Sequence, residues 1–594
     1  MRVGADTGGT FTDVVDERGA VTKVPSSPED PSAAVRDGVE QLGRGRPAQL
    51  AHGTTVATNA LLERRGARVG LITTEGFADL IEIGRQNRPA LYDLWADRPE
   101  PLVARADRLE VGGRLAADGS ELTPLDVAGV PVLDDGLESV AVCLLHADLD
   151  PGHERQVADE LRRRGISELS ISSEVSPEYR EYERTITTVI DAYVRPRCRT
   201  YLHELRGVAD EVLVMTSAGG LVPVEVAARH PVALLLSGPA AGVEAAAAVG
   251  VQNGRPDVLT FDMGGTSTDV CLVVDGRPEP AAQRSIGGFG IRYPSLDIHT
   301  IGAGGGSIAA IDAGGALTVG PQSAGAVPGP ACYGRGGELP TVTDANVLLG
   351  RIPADASFGG LALDAAAAAA ACDGAGVDPM GVIRVVNANM EQALRTVSVE
   401  RGVDPAGLAL VAFGGAGPLH ACDLADALGI TTVLIPARAG VLSAVGLLAS
   451  SPQRVLVRSW PTPADRSGLD RARGELGEQV RELLGHPEAT VTTAIDVRYV
   501  GQSHELTVSE VDDFHGEHER RNGYARPEAP IEVLAIRAEA SGPPLIATER
   551  FPDLVRSQAT GPTVVAEPDC TIWVAEGWRS RAGAHGTLVL ERTP

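Results

Sequence analysis

Two stretches of this chain carry the same chemically capable residues at the same spacing. Asp6-Thr7-Gly8-Gly9-Thr10-Phe11-Thr12-Asp13 lies near the start and Asp262-Met263-Gly264-Gly265-Thr266-Ser267-Thr268-Asp269 in mid-chain, each followed by valine. Carboxylates at both ends of each stretch suit a hard cation such as Mg²⁺, while threonine hydroxyls and glycine N–H groups can cradle phosphate. Paired glycines permit a positive φ in a tight turn and let backbone N–H groups face an anion without an obstructing Cβ. One Gly-Gly turn says little. Its repetition with the same flanking acids and threonines makes a paired phosphate site the better reading.

Such residues need rigid elements to hold them. Met1–Ala5 and Val258–Phe261 each read as a short buried strand running into the repeated phrase, so each copy is strand, hairpin, strand. His52-Gly53-Thr54-Thr55-Val56-Ala57-Thr58-Asn59 reads as a strand end, a glycine turn and a helix start. Its hydroxyls either cap that helix or hold an anion or substrate carbonyl there, which makes His52, Thr54, Thr55 and Asn59 candidate substrate residues. Arg85 and Arg88 share an irregular loop, and Arg184 leads into a helix. Arginines so placed are either solvated or ligand clamps.

Farther along, Asp297 and His299 form an incomplete metal pair, two ligands without a third. The run Gly302-Ala303-Gly304-Gly305-Gly306-Ser307 is too rich in glycine for helix or strand, and Gly304 and Gly305 join the substrate-side candidates. A strand, Leu408–Phe413, feeds Gly414-Gly415-Ala416-Gly417. Small residues over Ser237–Val249 and Ala439–Ala449 predict two helices able to pack closely. Beyond about residue 455 short strands alternate with polar loops. The expected domains are therefore 1–175, 176–455 and a separate α/β or β-rich unit over 456–594.

At 594 residues the chain is long enough for several domains. A net charge of −27 disfavours nucleic acid, which asks for a basic footprint. No apolar run is long enough for a membrane span, and no membrane partner is expected. Seven scattered cysteines without metal spacing, and a start without a signal core, lead to the expectation of a cytoplasmic protein. Lys23 is the only lysine, in a polar stretch before a Pro/Ser loop. A P-loop is thus excluded, and lysine Schiff-base chemistry is disfavoured. Phosphate charge is left to Mg²⁺, backbone N–H groups and arginine.

The order of these motifs resembles the actin, sugar-kinase and heat-shock-chaperone ATPase superfamily. That resemblance implies an α/β fold with duplicated ribonuclease-H-like (actin-like ATPase) domains, an interdomain ATP cleft, and a smaller C-terminal domain. It makes Asp6–Asp13 and Asp262–Asp269 the two phosphate motifs, Gly414, Gly415 and Gly417 the adenosine motif, and the two small-residue helices the connectors. At closer range the phrases Asp-Thr-Gly-Gly-Thr-Phe-Thr-Asp, His-Gly-Thr-Thr-Val-Ala-Thr-Asn-Ala, Ser-Gly-Pro-Ala-Ala-Gly, Asp-Met-Gly-Gly-Thr-Ser-Thr-Asp, Gly-Ala-Gly-Gly-Gly-Ser and Phe-Gly-Gly-Ala-Gly-Pro-Leu-His resemble the hydantoinase/oxoprolinase family, A-type (ATP-binding) subunit. The chain looks short for that family after residue 455, and His146-Ala147-Asp148 stands where a hydroxyl and an aromatic residue are common.

The family resemblance implies ATP-dependent opening of a cyclic amide of the hydantoin, N-methylhydantoin or 5-oxoproline type, by phosphorylation of a carbonyl oxygen. The alternative within the family is the ATP-using subunit of an acetone or acetophenone carboxylase. A small-molecule kinase or chaperone-like ATPase is more remote. Expected partners are a B-type subunit and further copies of the chain. Asp6 and Asp262 would hold Mg²⁺, while Thr7, Gly8, Gly9, Thr10, Thr12, Gly264, Gly265, Thr266 and Thr268 cradle the phosphates. Asp262 or Asp269 would take a proton, with Asp6 and Asp13 completing the acidic set.

Overall fold

Both repeated stretches fold as hairpins, and each anchors one edge of a larger sheet. The computed structural model describes residues 1–593 apart from 28, 29, 282, 354–356, 359, 360, 547–550, 552, 553 and 555. In the first half Arg2–Thr7 pairs antiparallel with Phe11–Asp16, which pairs antiparallel with Val21–Pro25. On its other side Arg2–Thr7 runs parallel to Gln49–Thr54, followed by parallel Glu211–Met215 and antiparallel Leu221–Pro223. The strands are buried on both faces, which is why Val3, Ala5, Leu50 and Ala51 read as continuous apolar sequence.

The second half repeats the plan. Val258–Met263 pairs antiparallel with Thr268–Val274 and parallel with Ala409–Phe413, which continues to parallel Thr432–Ile435. His299–Ile301 and Arg277–Pro278 both pair antiparallel with Thr268–Val274. Duplicated meander-then-parallel sheets are the ribonuclease-H-like order, as the motif order predicts. The first half also carries an all-parallel sheet of Leu169–Ile171, Ser139–Cys143, Val69–Thr74 and Arg108–Val111.

Two helices join the halves. Ser237–Gln252 and Leu442–Ala449 pack so closely that a Cβ on Gly446 would lie 2.1 Å from the Ala241 carbonyl oxygen. The same short helix lies on the first strand, where a Cβ on Gly4 would lie 2.2 Å from the Ala444 carbonyl oxygen. Small residues here allow backbone-to-backbone contact, so the helices predicted from composition are the crossing elements between the sheets.

The expected single unit over 456–594 is divided instead. Gln453–Ser459, Thr490–Tyr499, Leu506–Val508 and Ile531–Ser541 form their own four-stranded antiparallel sheet, covered by helix Leu469–Leu484. The chain then returns to the second half, where Leu588–Arg592 pairs with Thr432–Ile435 and with Trp578–Ala582. Leu588, Val589 and Leu590 are buried in that half's core, so this last stretch belongs to it physically. No helix among the described residues is long and apolar enough to cross a membrane.

Candidate functional site

The hairpin tips of the two halves face each other. A Cβ on Gly265 would stand 3.6 Å from Thr10 Oγ1, whereas one on Gly9 would meet nothing within 4 Å. Each tip is closed by the same bond: Gly8 N–H donates to the Phe11 carbonyl and Gly264 N–H to the Ser267 carbonyl, both at 3.0 Å. None of the four tip glycines has a positive φ, contrary to the expectation for a tight turn. The loop between Thr7 and Thr12 is four residues long, a length usually built on a type I turn that needs no left-handed residue. What the glycines provide is open space at Gly9 and, at Gly265, room for Thr10 of the facing hairpin.

Register sets the carboxylates. Asp6 is the direct cross-strand partner of Asp13, and Asp262 of Asp269. Directly opposed residues of an antiparallel pair share a face, so each hairpin presents two like charges side by side. Glycine makes room around them. A Cβ on Gly53 would stand 2.7 Å from Asp6 Oδ1, on Gly238 3.3 Å from it, and on Gly414 2.3 Å from Asp262 Oδ1. Gly414 also holds φ +79°, which favours glycine independently.

These acids are electrostatically frustrated. Burial, then Asp13, pushes the Asp6 carboxyl up to about 7, against the pull of Lys23. Burial, then Asp269 and Asp6, raises Asp262 well above the ordinary carboxylate range. Asp269 is pushed up to about 6 by burial, opposed by the Thr300 hydroxyl and by Arg284. Asp6 Oδ1 is buried with no hydrogen-bond partner among the described residues. This orphaned oxygen stands beside Asp13, and Asp262 and Asp269 of the other half act on one another and on Asp6 through space. A hard divalent cation is thus offered carboxylates from each half, with no preformed three-ligand cluster there among the described residues.

Other expected residues turn out to support the hairpins. Thr12 Oγ1 lies 3.1 Å from Ser26 Oγ and donates to Thr7 Oγ1, and Thr268 Oγ1 donates to the Ala303 carbonyl. Both threonines are fully buried, which turns their hydroxyls away from the phosphate-cradling role. Gly305 N–H and Gly306 N–H donate to the Gly264 and Gly265 carbonyls, and a Cβ on Gly304 would stand 2.6 Å from the Thr266 nitrogen. The glycine-rich loop is thus a bed for the second hairpin, which corrects its assignment to substrate. Thr7 is buried too, while Thr10 and Thr266 stand at the open tips. Gly415 has open space around it, and Gly417 begins the helix Gly417–Leu428 close to Phe261.

Several substrate candidates are structural. His52 is fully buried, its Nδ1 2.9 Å from the Ala5 carbonyl and its Nε2 2.5 Å from the Tyr201 hydroxyl, and burial lowers its pKa to about 4. A neutral ring that donates to Ala5 and accepts from Tyr201 braces the strand beneath Asp6. Thr54 Oγ1 accepts from Val56 N–H, and Thr55 Oγ1 bonds the Thr7 carbonyl and the Asn59 amide, so these polar groups secure the helix start. Arg184 is buried against Asp148 at 2.6 Å, and Arg85 pairs with Glu183. Arg88 is exposed on its loop. Asp297 pairs with Arg401, and no metal-capable cluster of three ligands among the described residues includes Asp297 or His299.

One contributor went unrecognised in the sequence. Lys23 lies directly opposite Asp13, its Nζ 2.6 Å from Asp13 Oδ1. Counting residues through the turn at Asp16–Ala20 would have given that register.

Comparison with known proteins extends the geometry. The Hydantoinase/oxoprolinase family matches residues 184–454, and the Hydantoinase/oxoprolinase N-terminal region matches residues 2–165. The chain is 34% identical to caprolactamase subunit alpha of Pseudomonas jessenii over 99% of both chains. It is 34% identical to 5-oxoprolinase 1 of Arabidopsis thaliana, over 84% of this chain and 46% of that one. It is 35% identical to acetophenone carboxylase gamma subunit of Aromatoleum aromaticum, over 70% and 64%. The crystal structure of the ATP-dependent caprolactamase from Pseudomonas jessenii superposes with TM-score 0.87 and 31% identity over the full length of both chains. Nucleotide-free acetone carboxylase superposes with TM-score 0.78 at 22% identity, covering 100% of this chain and 99% of that one, a likeness of fold alone. With its hairpins, hinge helices and sheets matched end to end, this chain belongs to the hydantoinase/oxoprolinase family.

Proposed function

We propose that the chain is the ATP-using subunit of a cyclic amide hydrolase. The observation that carries this reading is the pair of facing hairpins, with Asp6 and Asp262 on opposite halves beside open glycine tips. A divalent cation such as Mg²⁺, held by Asp6 and Asp262, would neutralise phosphate charge between the hairpins. The backbones at Gly9 and Gly265 and the hydroxyls of Thr10 and Thr266 position the polyphosphate, and Gly414, Gly415 and Gly417 leave room for the nucleoside. The half built on the first hairpin, which includes strands Glu211–Met215 and Leu221–Pro223, and the half built on the second, with the returning C-terminal strands, act as two jaws around it.

Chemically, the amide oxygen in its imidate form bonds to the γ-phosphorus as the bond to ADP breaks, and the amide proton passes to Asp262 or Asp269. Water then adds to the phosphorylated carbon. The C–N bond breaks, the nitrogen takes a proton, and the acyl phosphate left behind is hydrolysed by a second water. Phosphoryl transfer of this kind asks the protein mainly for positioning and charge balance. The name of the Pseudomonas relative, a subunit, supports a companion chain of the B type that completes the hydrolysis. A homo-oligomer of that complex is part of the same reading.

ATP turnover with hydantoin, N-methylhydantoin, 5-oxoproline and caprolactam, with and without a companion subunit, tests this. Turnover should require one of these amides and should vanish in Asp6→Ala and Asp262→Ala; retention of wild-type rates in both variants overturns it. The similarity to the acetophenone carboxylase gamma subunit supports a second reading, activation of a ketone or bicarbonate. Stimulation by acetophenone with bicarbonate, and by no amide, selects it.

A further inference from the structure

The two halves repeat each other around their hairpins, yet they differ at one polar position. Across the first sheet, Lys23, Asp13, Asp6 and Gly53 stand in register on neighbouring strands. Across the second, the corresponding row is Thr300, Asp269, Asp262 and Phe413. The strand outside each hairpin thus puts an ammonium opposite Asp13 and only a hydroxyl opposite Asp269. Lys23 Nζ lies 2.6 Å from Asp13 Oδ1, and Thr300 Oγ1 donates to Asp269 Oδ1. The second row has a cation near it in Arg284, but that guanidinium donates to the Ile298 carbonyl and acts on Asp269 through space.

Lys23 is held in place as well as paired. Its Nζ lies 5.3 Å from the centroid of Phe11, and its side chain is 30% exposed. Among the four hairpin carboxylates the ammonium touches Asp13 alone, and it acts on Asp6 and Asp262 through space. Buried and half-buried carboxylates that act on one another repel a polyanion, so a cation set on one of them bears on the rest.

We propose that Lys23 is the positioning residue of the phosphate cleft: it fixes Asp13 as a paired carboxylate and cancels its charge beside Asp6 so that a nucleoside triphosphate can enter. Thr300, its counterpart in the duplicated half, cannot take that role. This rests on the nucleotide reading above. Asp13 then acts as the anchor of Lys23, leaving Asp6, Asp262 and Asp269 as the acids that meet the ligand.

The test is binding without turnover. A non-hydrolysable ATP analogue with Mg²⁺ is titrated calorimetrically into full-length wild type, Lys23→Met, Lys23→Arg and the double variant Lys23→Met/Asp13→Asn, with thermal unfolding recorded for each. Lys23→Met should weaken binding by about tenfold or more, and Lys23→Arg should stay within about threefold of wild type. The double variant should recover to within about threefold, because the charge balance is restored. Unchanged affinity in Lys23→Met overturns the proposal, as does a loss that Asp13→Asn does not recover. Should Lys23→Met fail to fold, the double variant is read alone: near-wild-type affinity supports the proposal and lost affinity overturns it. Failure of wild type to bind the analogue would instead bring down the nucleotide reading.

Discussion

Asp6 and Asp13 face each other directly across the first hairpin, and Asp262 and Asp269 repeat the arrangement across the second. Directly opposed like charges destabilise a strand pair, and burial makes the penalty larger. A fold that keeps such pairs in both copies accepts local strain for the sake of a ligand. Replacing Asp262 with asparagine should therefore raise the thermal midpoint of the ligand-free protein by about 1–3 °C. The same change should lower ATP turnover at least about a hundredfold. Calorimetry and an ATPase assay on one preparation check both. A lower midpoint together with retained turnover would contradict the account.

A second buried acid lies outside the cleft. Burial, then Glu539, pushes the Glu244 carboxyl up to about 7; Glu244 lies on the connecting helix Ser237–Gln252 and Glu539 on the strand Ile531–Ser541. Because the folded value is raised, the folded state binds the extra proton, and the penalty grows as pH rises from about 4.5 to about 7. Glu244→Gln removes that penalty. The variant should match wild type near pH 4.5 and exceed it by about 3 kcal/mol above pH 7, as measured by urea unfolding across pH.

How much of this was legible in the sequence depends on what each residue answers to. The hairpins, the crossing helices and the duplication follow from local patterns: apolar strands, glycine pairs, runs of small residues. The environment of individual polar groups does not. His52 looked like a substrate residue because it is polar and adjoins the hydroxyl-rich helix start, but its ring is fixed by the Ala5 carbonyl and Tyr201, one strand and one helix away. Arg184 has no local signature distinguishing a clamp from a core ion pair; Asp148, 36 positions earlier, decides it. Gly304 and Gly305 looked like a binding loop, yet their neighbours are carbonyls of the second hairpin, brought there by tertiary folding. The returning strand Leu588–Arg592 pairs with a strand about 150 residues earlier, a distance no periodicity encodes.

The sheet over residues 453–541 is tied to the first half by buried ions. Arg292 Nε donates to Glu178 at 2.7 Å and its Nη2 lies 2.7 Å from Glu505, while Tyr179 and Arg180 also bond Glu505. Burial opposes ionisation of Glu505, but Arg292, Tyr179 and Arg180 outweigh it and lower the carboxyl to about 2. A depressed folded value means the stabilisation is complete above about pH 4.5 and is lost as pH falls toward about 2. Arg292→Met should cost about 1.5–3 kcal/mol at neutral pH, since it removes one cation from a buried network in which Glu178 keeps Arg537 and Glu505 keeps Arg180 and Tyr179. Glu505→Gln should also flatten the acid limb of the stability profile, which acid titration followed by circular dichroism reads directly.

The crossing of the connecting helices makes the sharpest steric prediction. A Cβ on Gly446 would sit 2.1 Å from the Ala241 carbonyl oxygen and 3.1 Å from Ala245 Cβ. The short helix cannot back away, because its other side rests on the first strand at Gly4 and Ala444. Gly446→Val must therefore push the two halves apart or break the helix, at about 2–4 kcal/mol. Either way the hairpin tips separate, so affinity for an ATP analogue should fall along with stability. Gly474 supplies the control: it lies inside helix Leu469–Leu484 with nothing within 4 Å of a Cβ. Gly474→Ala should leave nucleotide affinity unchanged and stabilise by about 0.5–1 kcal/mol. If Gly446→Val binds the analogue as tightly as Gly474→Ala does, the hinge does not set the distance between the hairpins.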